Sequence, residues 1–319
     1  MKVIILSRVL KEKQIEKIKA TAVKAGAVLC FVEEEKAIPE GFLDAEVLYG
    51  FGTETAKTST ALKWLCVPSA GVDYLMGPGA FANEDCILTN SSGAYGVTIA
   101  EHMIAVSLMM MRKLTLTYAE TLQGVWGKPK PQKSLKDCRI TVLGTGDIGS
   151  NFARRAKAFE PKAMVGVCRS GKSEETCYDQ VVPISELDGI LPSTDLLAMS
   201  LPDTAETKGI LSKERLSLLP EGAYIVNVGR GSAIDEDALS ELLEKEYLGG
   251  AALDVFRTEP LPKDSPLWKT KNLLITPHVA GNLTLEYTLD TNVDMFCEDL
   301  LNYAQGRPLK HIVDRKIGY

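Results

Sequence analysis

Short apolar runs recur along the first part of the chain: "KVIIL", "AVLCFV", "AEVLYG", "LKWLCVP" and "CILTNS". They are rich in β-branched residues and separated by helical or loop-like stretches, which predicts the strands of a parallel α/β unit buried on both faces. The pattern then changes. "TIAEHMIAVSLMMMRKLTLTYAETL" contains almost no helix breaker and predicts one long helix, and the polar, proline-bearing "QGVWGKPKPQKSLKD" after it predicts an excursion. From Ile140 the strand-like runs resume as "ITVLG", "AMVGV", "LLAMSL", "AYIVNV", "AALDVF" and "LLITPH", which predicts a second, doubly wound sheet. "SNFARRAKAF" and, after "AGNLTLEYTLDT", "VDMFCEDLLNYAQG" place apolar residues at helical spacing. The chain contains no internal repeat and no low-complexity tract.

A length of 319 residues, 45% of them hydrophobic and 24% charged, suffices for two cored domains. A net charge of -6 argues against nucleic acid or an anionic membrane as the main partner and leaves an anionic small molecule admissible. "MKVIILSRV" reads as a strand entering the fold, its apolar run too short for a secretory signal. No segment approaches the roughly 18 uninterrupted apolar residues of a membrane span, so the expectation is a cytoplasmic protein. Seven cysteines without a CxxC pair are expected to be reduced thiols, Cys168 and Cys177 included. His102, His278 and His311 lack an HxxxH spacing or a neighbouring carboxylate cluster, and no metal centre is expected. His102 is assigned to helix packing and His311 to solvent.

The chemistry starts at "VLGTGDIG", where Gly144, Gly146 and Gly149 fall in a strand-to-helix turn. The first glycine permits the turn, the second lets backbone approach a pyrophosphate, and the third lets helix and strand pack closely. The helix N-terminus then faces the anion. An NAD site usually adds an acid about 20 residues on, to bind the ribose hydroxyls. Here the next strand ends instead in Cys168, Arg169, Ser170, Gly171 and Lys172. Two cations and a hydroxyl suit a 2′-phosphate, which points to NADP(H), with NAD the alternative in which Arg169 and Lys172 are solvated loop charges.

In an open α/β sheet, ligands bind past the carboxyl ends of the strands. Three of these ends carry polar residues: Arg230 in "GRGS", Asp254 with Glu259 in "LDVFRTEP", and His278 in "TPHVAG". Reduction of a 2-oxo acid needs a fixed cation for the carboxylate, an acid for the carbonyl oxygen, and an anion to keep that acid protonated. Arg230, His278 and Glu259 supply these. Read singly, they could be a turn charge, a structural imidazole and a loop cap. Asp254 is either an acceptor for the nicotinamide carboxamide or a strand-end cap.

The chain resembles the D-isomer-specific 2-hydroxyacid dehydrogenases. The resemblance rests on "SAGVDYL" (69–75), "GAYGVTIAEH" (93–102), "VLGTGDIG" (142–149), "SLPDTAETKGIL" (200–211), "NVGRGSAIDEDAL" (227–239), "GAALDVFRTEPLP" (250–262) and "TPHVAG" (276–281), in family order. It implies an α/β fold of two Rossmann-like domains with parallel sheets, one flavodoxin-like and one dinucleotide-binding. Residues 1–98 and 284–319 would form a discontinuous substrate domain, and 99–283 the dinucleotide domain. A homodimer would be joined through the helix and excursion of 99–135. The resemblance makes Arg230, Glu259 and His278 the catalytic three and gives backbone at Ala70 and Gly71 the substrate carboxylate. The expected cofactor set is Gly144, Gly146, Asp147, Ile148, Gly149, Arg169, Ser170, Lys172, Leu201, Pro202, Thr207, Val228, Gly229, Asp254 and Gly281, in which "CRSGK" departs from the family pattern by replacing its adenosine-side acid, a departure that supports NADP over NAD.

The expected activity is hydride transfer between NADP(H) and a small 2-oxo or D-2-hydroxy acid such as glyoxylate or hydroxypyruvate. Tyr49 and Phe51 are expected as aromatic walls of the side-chain pocket. No Arg or Lys lies between Ala45 and Ala56, which ranks a phosphorylated substrate, and so phosphoglycerate dehydrogenase activity, low. A non-catalytic dinucleotide-sensing protein of the same fold is the alternative from another class.

Overall fold

The apolar runs at the start of the chain become strands that lie side by side in a computed structural model describing residues 1–315 and 318. β1 (Lys2–Leu6), β2 (Val28–Val32), β3 (Val47–Tyr49), β4 (Trp64–Cys66) and β5 (Ile87–Thr89) form a five-stranded parallel sheet in the order β2-β1-β3-β4-β5. Successive strand residues point to opposite faces, and both faces are covered, which is why the runs are continuously apolar. Ile4, Leu48, Leu65 and Leu88 pack on one side with Val72 and Phe81. Val3, Ile5, Val47 and Trp64 pack on the other with Phe296 and Leu300.

These last two residues belong to a C-terminal helix that returns to the first sheet. Numbered in chain order the helices are α1 (Glu12–Ala25), α2 (Thr53–Thr58), α3 (Gly96–Met111), α4 (Leu114–Leu122), α5 (Asp147–Ala156), α6 (Leu187–Ile190), α7 (Lys213–Leu216), α8 (Glu236–Glu244) and α9 (Glu286–Ala304). Helix α9 starts well before Val293, where the apolar spacing first declares it, because its first turns bury Thr288, Leu289 and Asn292. It is tied to α1 by Gln14 Nε2, which donates to Asp290 Oδ1 at 2.8 Å, and by Lys13 Nζ, 2.6 Å from Asp290 Oδ2. The chain accordingly divides into one unit of residues 1–95 and 282–319 and another of residues 96–281. Residues 316, 317 and 319, the end of the expected split domain, lie outside the described residues.

The second unit holds β6 (Arg139–Leu143), β7 (Ala163–Cys168), β8 (Gln180–Pro183), β9 (Leu196–Met199), β10 (Tyr224–Asn227), β11 (Gly250–Leu253) and β12 (Leu273–Ile275). All are parallel, in the order β12-β11-β10-β9-β6-β7-β8. The order reverses between β6 and β9, and that switch point is where a doubly wound sheet opens its ligand crevice. β8 was not evident in the pattern, since "QVVP" is a short edge strand among polar neighbours. The long helix is also corrected. It breaks into α3 and α4 at Lys113, whose φ of 53° is left-handed. Lys113 Nζ donates to Gly249 O at 3.0 Å and lies 5.7 Å from the centre of the Tyr224 ring, tertiary contacts that no local breaker announces. Among the described residues no helix is long and apolar enough to cross a membrane, and all seven cysteines are free thiols.

Helix α5 lies so close to β6 that a Cβ at Gly149 would sit 1.9 Å from Gly144 O. The same test at Gly189 in α6 meets nothing within 4 Å. Gly149→Ala should therefore cost about 1–3 kcal/mol by overpacking, lowering the melting temperature by roughly 2–4 °C per kcal/mol in a domain of this size. Gly189→Ala should be neutral or slightly stabilising, as a helical glycine costs about 0.5–1 kcal/mol relative to alanine. Equal melting shifts in calorimetry of the two variants would contradict this account of the β6–α5 contact.

Candidate functional site

Every residue expected to bind the cofactor or to carry catalysis falls in the second unit, on the loops leaving the carboxyl ends of its strands or at the start of α5. The loop after β6 turns at Gly144, whose φ of 102° disfavours any side chain. Gly146 then caps α5 with no side chain, so no side-chain cap blocks the first N–H groups of the helix. Asp147 and Ile148 form the first turn, and Asp147 Oδ1 accepts from Asn151 Nδ2 at 2.9 Å. This cradle and helix end fit the pyrophosphate of a dinucleotide.

At the end of β7 stands Cys168, not a carboxylate. Arg169, Ser170 and Lys172 follow on an exposed turn, with Lys172 N donating to Ser170 Oγ at 3.3 Å. Partial burial pushes the Cys168 thiol up, but hydrogen bonds from the Ser170 and Thr145 hydroxyls and from backbone outweigh it and hold the thiol below its ordinary range. After β9, Leu201 and Pro202 lead into a turn that Thr207 closes by donating to Pro202 O at 2.6 Å. Val228 and Gly229 follow β10, and Gly281 ends the second unit.

The turn bearing Arg230 is built from both sides. Asn227, buried at the end of β10, donates from Nδ2 to Arg230 O at 2.9 Å and accepts from Gly229 N at 3.0 Å. A Cβ at Gly231 would sit 1.9 Å from the carbonyl carbon of Phe256, so this turn presses against the loop that carries Glu259. That loop is fixed in turn by Glu236, whose Oε1 accepts from Arg257 N at 2.6 Å. Asn227 and Glu236 were not singled out from the sequence. The only signal for Asn227 is a polar residue ending an otherwise apolar strand.

Glu259 accepts from Phe256 N at 2.8 Å through Oε1 and from His278 Nδ1 at 2.6 Å through Oε2. A carboxylate can only accept, so the imidazole carries its proton on Nδ1 and leaves Nε2 for other chemistry. His278 is half-exposed and holds a left-handed φ of 54°. Its turn hangs from Asp254, which is only 3% exposed. Asp254 Oδ1 accepts from Thr276 Oγ1 at 2.6 Å and Val279 N at 2.9 Å, and Oδ2 accepts from Ala280 N at 3.0 Å. Asp254 thus anchors the His278 turn. His102 on α3 reaches the same group, its Nε2 lying 3.4 Å from Thr276 Oγ1. Burial pushes this imidazole down, against the pull of Asp254.

The remaining expected residues lie in the first unit. Tyr49 is corrected from pocket wall to core: it is 1% exposed, its ring centre 4.7 Å from that of Phe296. Phe51 is exposed, its ring centre 6.4 Å from that of Tyr74. Past β4, three successive carbonyls of one loop are taken. Ser69 O accepts from Ser91 N at 2.9 Å, Ala70 O from Asn90 Nδ2 at 2.8 Å, and Gly71 O from Ser69 Oγ at 2.8 Å. The N–H groups of Ala70 and Gly71 meet no acceptor among the described residues.

Residues 104–280 match the family described as D-isomer specific 2-hydroxyacid dehydrogenase, NAD binding domain. A D-3-phosphoglycerate dehydrogenase of Archaeoglobus fulgidus is 31% identical over 273 residues, covering 85% of this chain, which spans about half (49%) of that protein's length. A glyoxylate reductase of Thermofilum pendens is 30% identical over 296 residues, covering 91% of this chain and 82% of that protein. Among solved structures, a D-isomer specific 2-hydroxyacid dehydrogenase from Xanthobacter autotrophicus Py2 in complex with NADPH and MES superimposes with a TM-score of 0.81 at 27% identity, covering 99% of both chains. With the fold, the dinucleotide cradle and near-complete coverage in agreement, the chain belongs to the D-isomer specific 2-hydroxyacid dehydrogenase family, oxidoreductases that act on CH–OH donors with a nicotinamide dinucleotide.

Proposed function

We propose that this protein is an NADPH-dependent reductase of small 2-oxo acids, glyoxylate and hydroxypyruvate first among them, whose reverse reaction oxidises a D-2-hydroxy acid. The observation that carries the reading is the 2.6 Å pair between His278 Nδ1 and Glu259 Oε2 at the carboxyl edge of the dinucleotide sheet. When bound, the cofactor supplies the hydride that reaches the carbonyl carbon. Protonated His278 delivers the Nε2 proton to the carbonyl oxygen, and Glu259 stabilises the imidazolium while fixing its orientation. Arg230, held between two glycines and by Asn227, offers a guanidinium fork to the substrate carboxylate. In the first unit, the N–H groups of Ala70 and Gly71, which meet no acceptor among the described residues, are the donors for a substrate carboxylate.

Two observations support NADPH. No carboxylate ends β7, where it would repel a 2′-phosphate, and Arg169, Ser170 and Lys172 supply two cations and a hydroxyl there. The Xanthobacter relative is solved with NADPH. The absence of a cation from 45 to 56 favours short, uncharged side chains on the substrate over a phosphorylated one. A homodimer is supported by the exposed Leu114, Leu116, Tyr118 and Leu122 of α4 and by Val125 and Trp126 just beyond it, an apolar patch that a second copy would cover.

His278→Asn should cut turnover by roughly 10²–10⁴-fold while the dissociation constant for NADPH, read from nucleotide fluorescence, stays within about twofold. Wild-type turnover in that variant would remove His278 as the acid. Steady-state kinetics of Arg169→Ala with Lys172→Ala should show the NADPH Michaelis constant rising by one to a few powers of ten, since charge-assisted bonds contribute about 1.5–3 kcal/mol each. The NADH constant should hardly move, and a wild-type enzyme that prefers NADH would end the NADPH reading. For assembly, Leu122→Asp with Trp126→Ser should turn a dimer into a monomer in light scattering, and a wild-type monomer at micromolar concentration would contradict the proposed interface.

A further inference from the structure

The loop that carries Ala70 and Gly71 stands on a buried polar cluster that the reaction does not use. At its centre is Asn292 of α9, 1% exposed. Its Oδ1 accepts from Tyr49 Oη at the end of β3 at 3.1 Å and lies 2.9 Å from Ser91 Oγ, just past β5. Its Nδ2 donates to Pro68 O at 3.3 Å. Tyr95 Oη donates to the same carbonyl. Pro68 opens the loop whose next two carbonyls are held by Ser91 and Asn90 and whose third, that of Gly71, is held by Ser69 of the loop itself. Burial keeps both phenols well above their ordinary range, so they remain donors.

We propose that Asn292 is a positioning residue for substrate binding: one amide joins the ends of β3 and β5 to the first carbonyl of the 68–71 loop and, by setting that plane and the position of Ser91, whose N–H holds the next carbonyl, aims the Ala70 and Gly71 N–H groups at a carboxylate. The inference rests on the 2-oxo acid reading above. Its physical basis is directional. A peptide plane whose carbonyl is held cannot rotate, so the bonds to Ser69 O and Ala70 O fix the N–H groups of Ala70 and Gly71 that share those planes; Asn292 fixes the Pro68–Ser69 plane that precedes them and contacts Ser91, whose N–H holds Ser69 O. Apolar packing alone would leave that direction unset. Asn292 is suited to the task because a single planar side chain accepts at one end and donates at the other.

The test compares wild type with Asn292→Leu, which keeps the volume and loses both functions, and Asn292→Asp, which keeps the acceptor and loses the donated bond to Pro68 O. Each is assayed with NADPH against glyoxylate, hydroxypyruvate and pyruvate, and for inhibition by oxalate, with NADPH binding measured separately. The expected result is a Michaelis constant for the best 2-oxo acid, and an inhibition constant for oxalate, raised at least tenfold in both variants, with turnover number and NADPH affinity within about threefold of wild type. A merely structural role would lower the active fraction, and so the turnover number, and leave both constants alone; that outcome in either folded variant overturns the proposal. If Asn292→Leu does not fold, Asn292→Asp decides alone. A wild-type enzyme that reduces none of the three acids overturns the functional reading itself, and this inference with it.

Discussion

A buried carboxylate is costly unless donors meet it, and at Asp254 that requirement organises the carboxyl edge of the second sheet. The residue sits at the end of β11 with almost no exposure, and the groups that satisfy it all come from the turn after β12. Because the turn must deliver Thr276 Oγ1 and two successive N–H groups to one carboxylate, its backbone has little choice, and His278 is carried in a left-handed conformation that a free chain would rarely adopt. His278 N, donating to Asp254 O at 2.9 Å, closes the arrangement. The imidazole is thus placed by hydrogen bonds made at residues on either side of it, before Glu259 adds its own.

The same logic recurs along the edge. Asn227 holds the Arg230 turn, and Glu236 holds the backbone at Arg257, two residues before Glu259. In each case a buried polar side chain at a strand end or in a helix does for an irregular loop what ladder hydrogen bonds do for a strand. Loops can then carry exposed, chemically active groups without being loose, because the parallel sheet beneath them is apolar on both faces and fixes where each loop begins.

How much of this could be read from the chain follows from the range of the interactions. The strands were legible because burial on both faces leaves a continuous apolar run, and the glycine turn at 144–149 because its three constraints are local in sequence. Arg230, Glu259 and His278 were legible as polar groups past strand ends. Their supports were not. Glu236 and Thr276 are ordinary polar residues until the fold brings Arg257 and Asp254 to them from 21 and 22 positions away, and Asn227, whose partners are local, looks like any polar residue that ends a strand. Tyr49 was misplaced for a related reason: an aromatic residue at a strand end looks the same whether it lines a cleft or packs under a distant helix, and here that helix is α9. The break at Lys113 was hidden because a lysine with a left-handed φ is decided by Gly249 and Tyr224, more than a hundred residues on.

The discontinuous first unit bears on how the chain comes off the ribosome. All strands of its sheet are made within the first 89 residues, yet one face of that sheet packs against Phe296 and Leu300 of α9. Vectorial synthesis therefore leaves that face covered by Ile18 of α1 but without the α9 part of its cover while the whole second unit is produced, a delay of roughly ten seconds or more at about 5–20 residues per second. The second unit is contiguous and meets no such delay. The Val, Ile and Trp side chains that α9 covers are thus the last of the first unit's core to be buried.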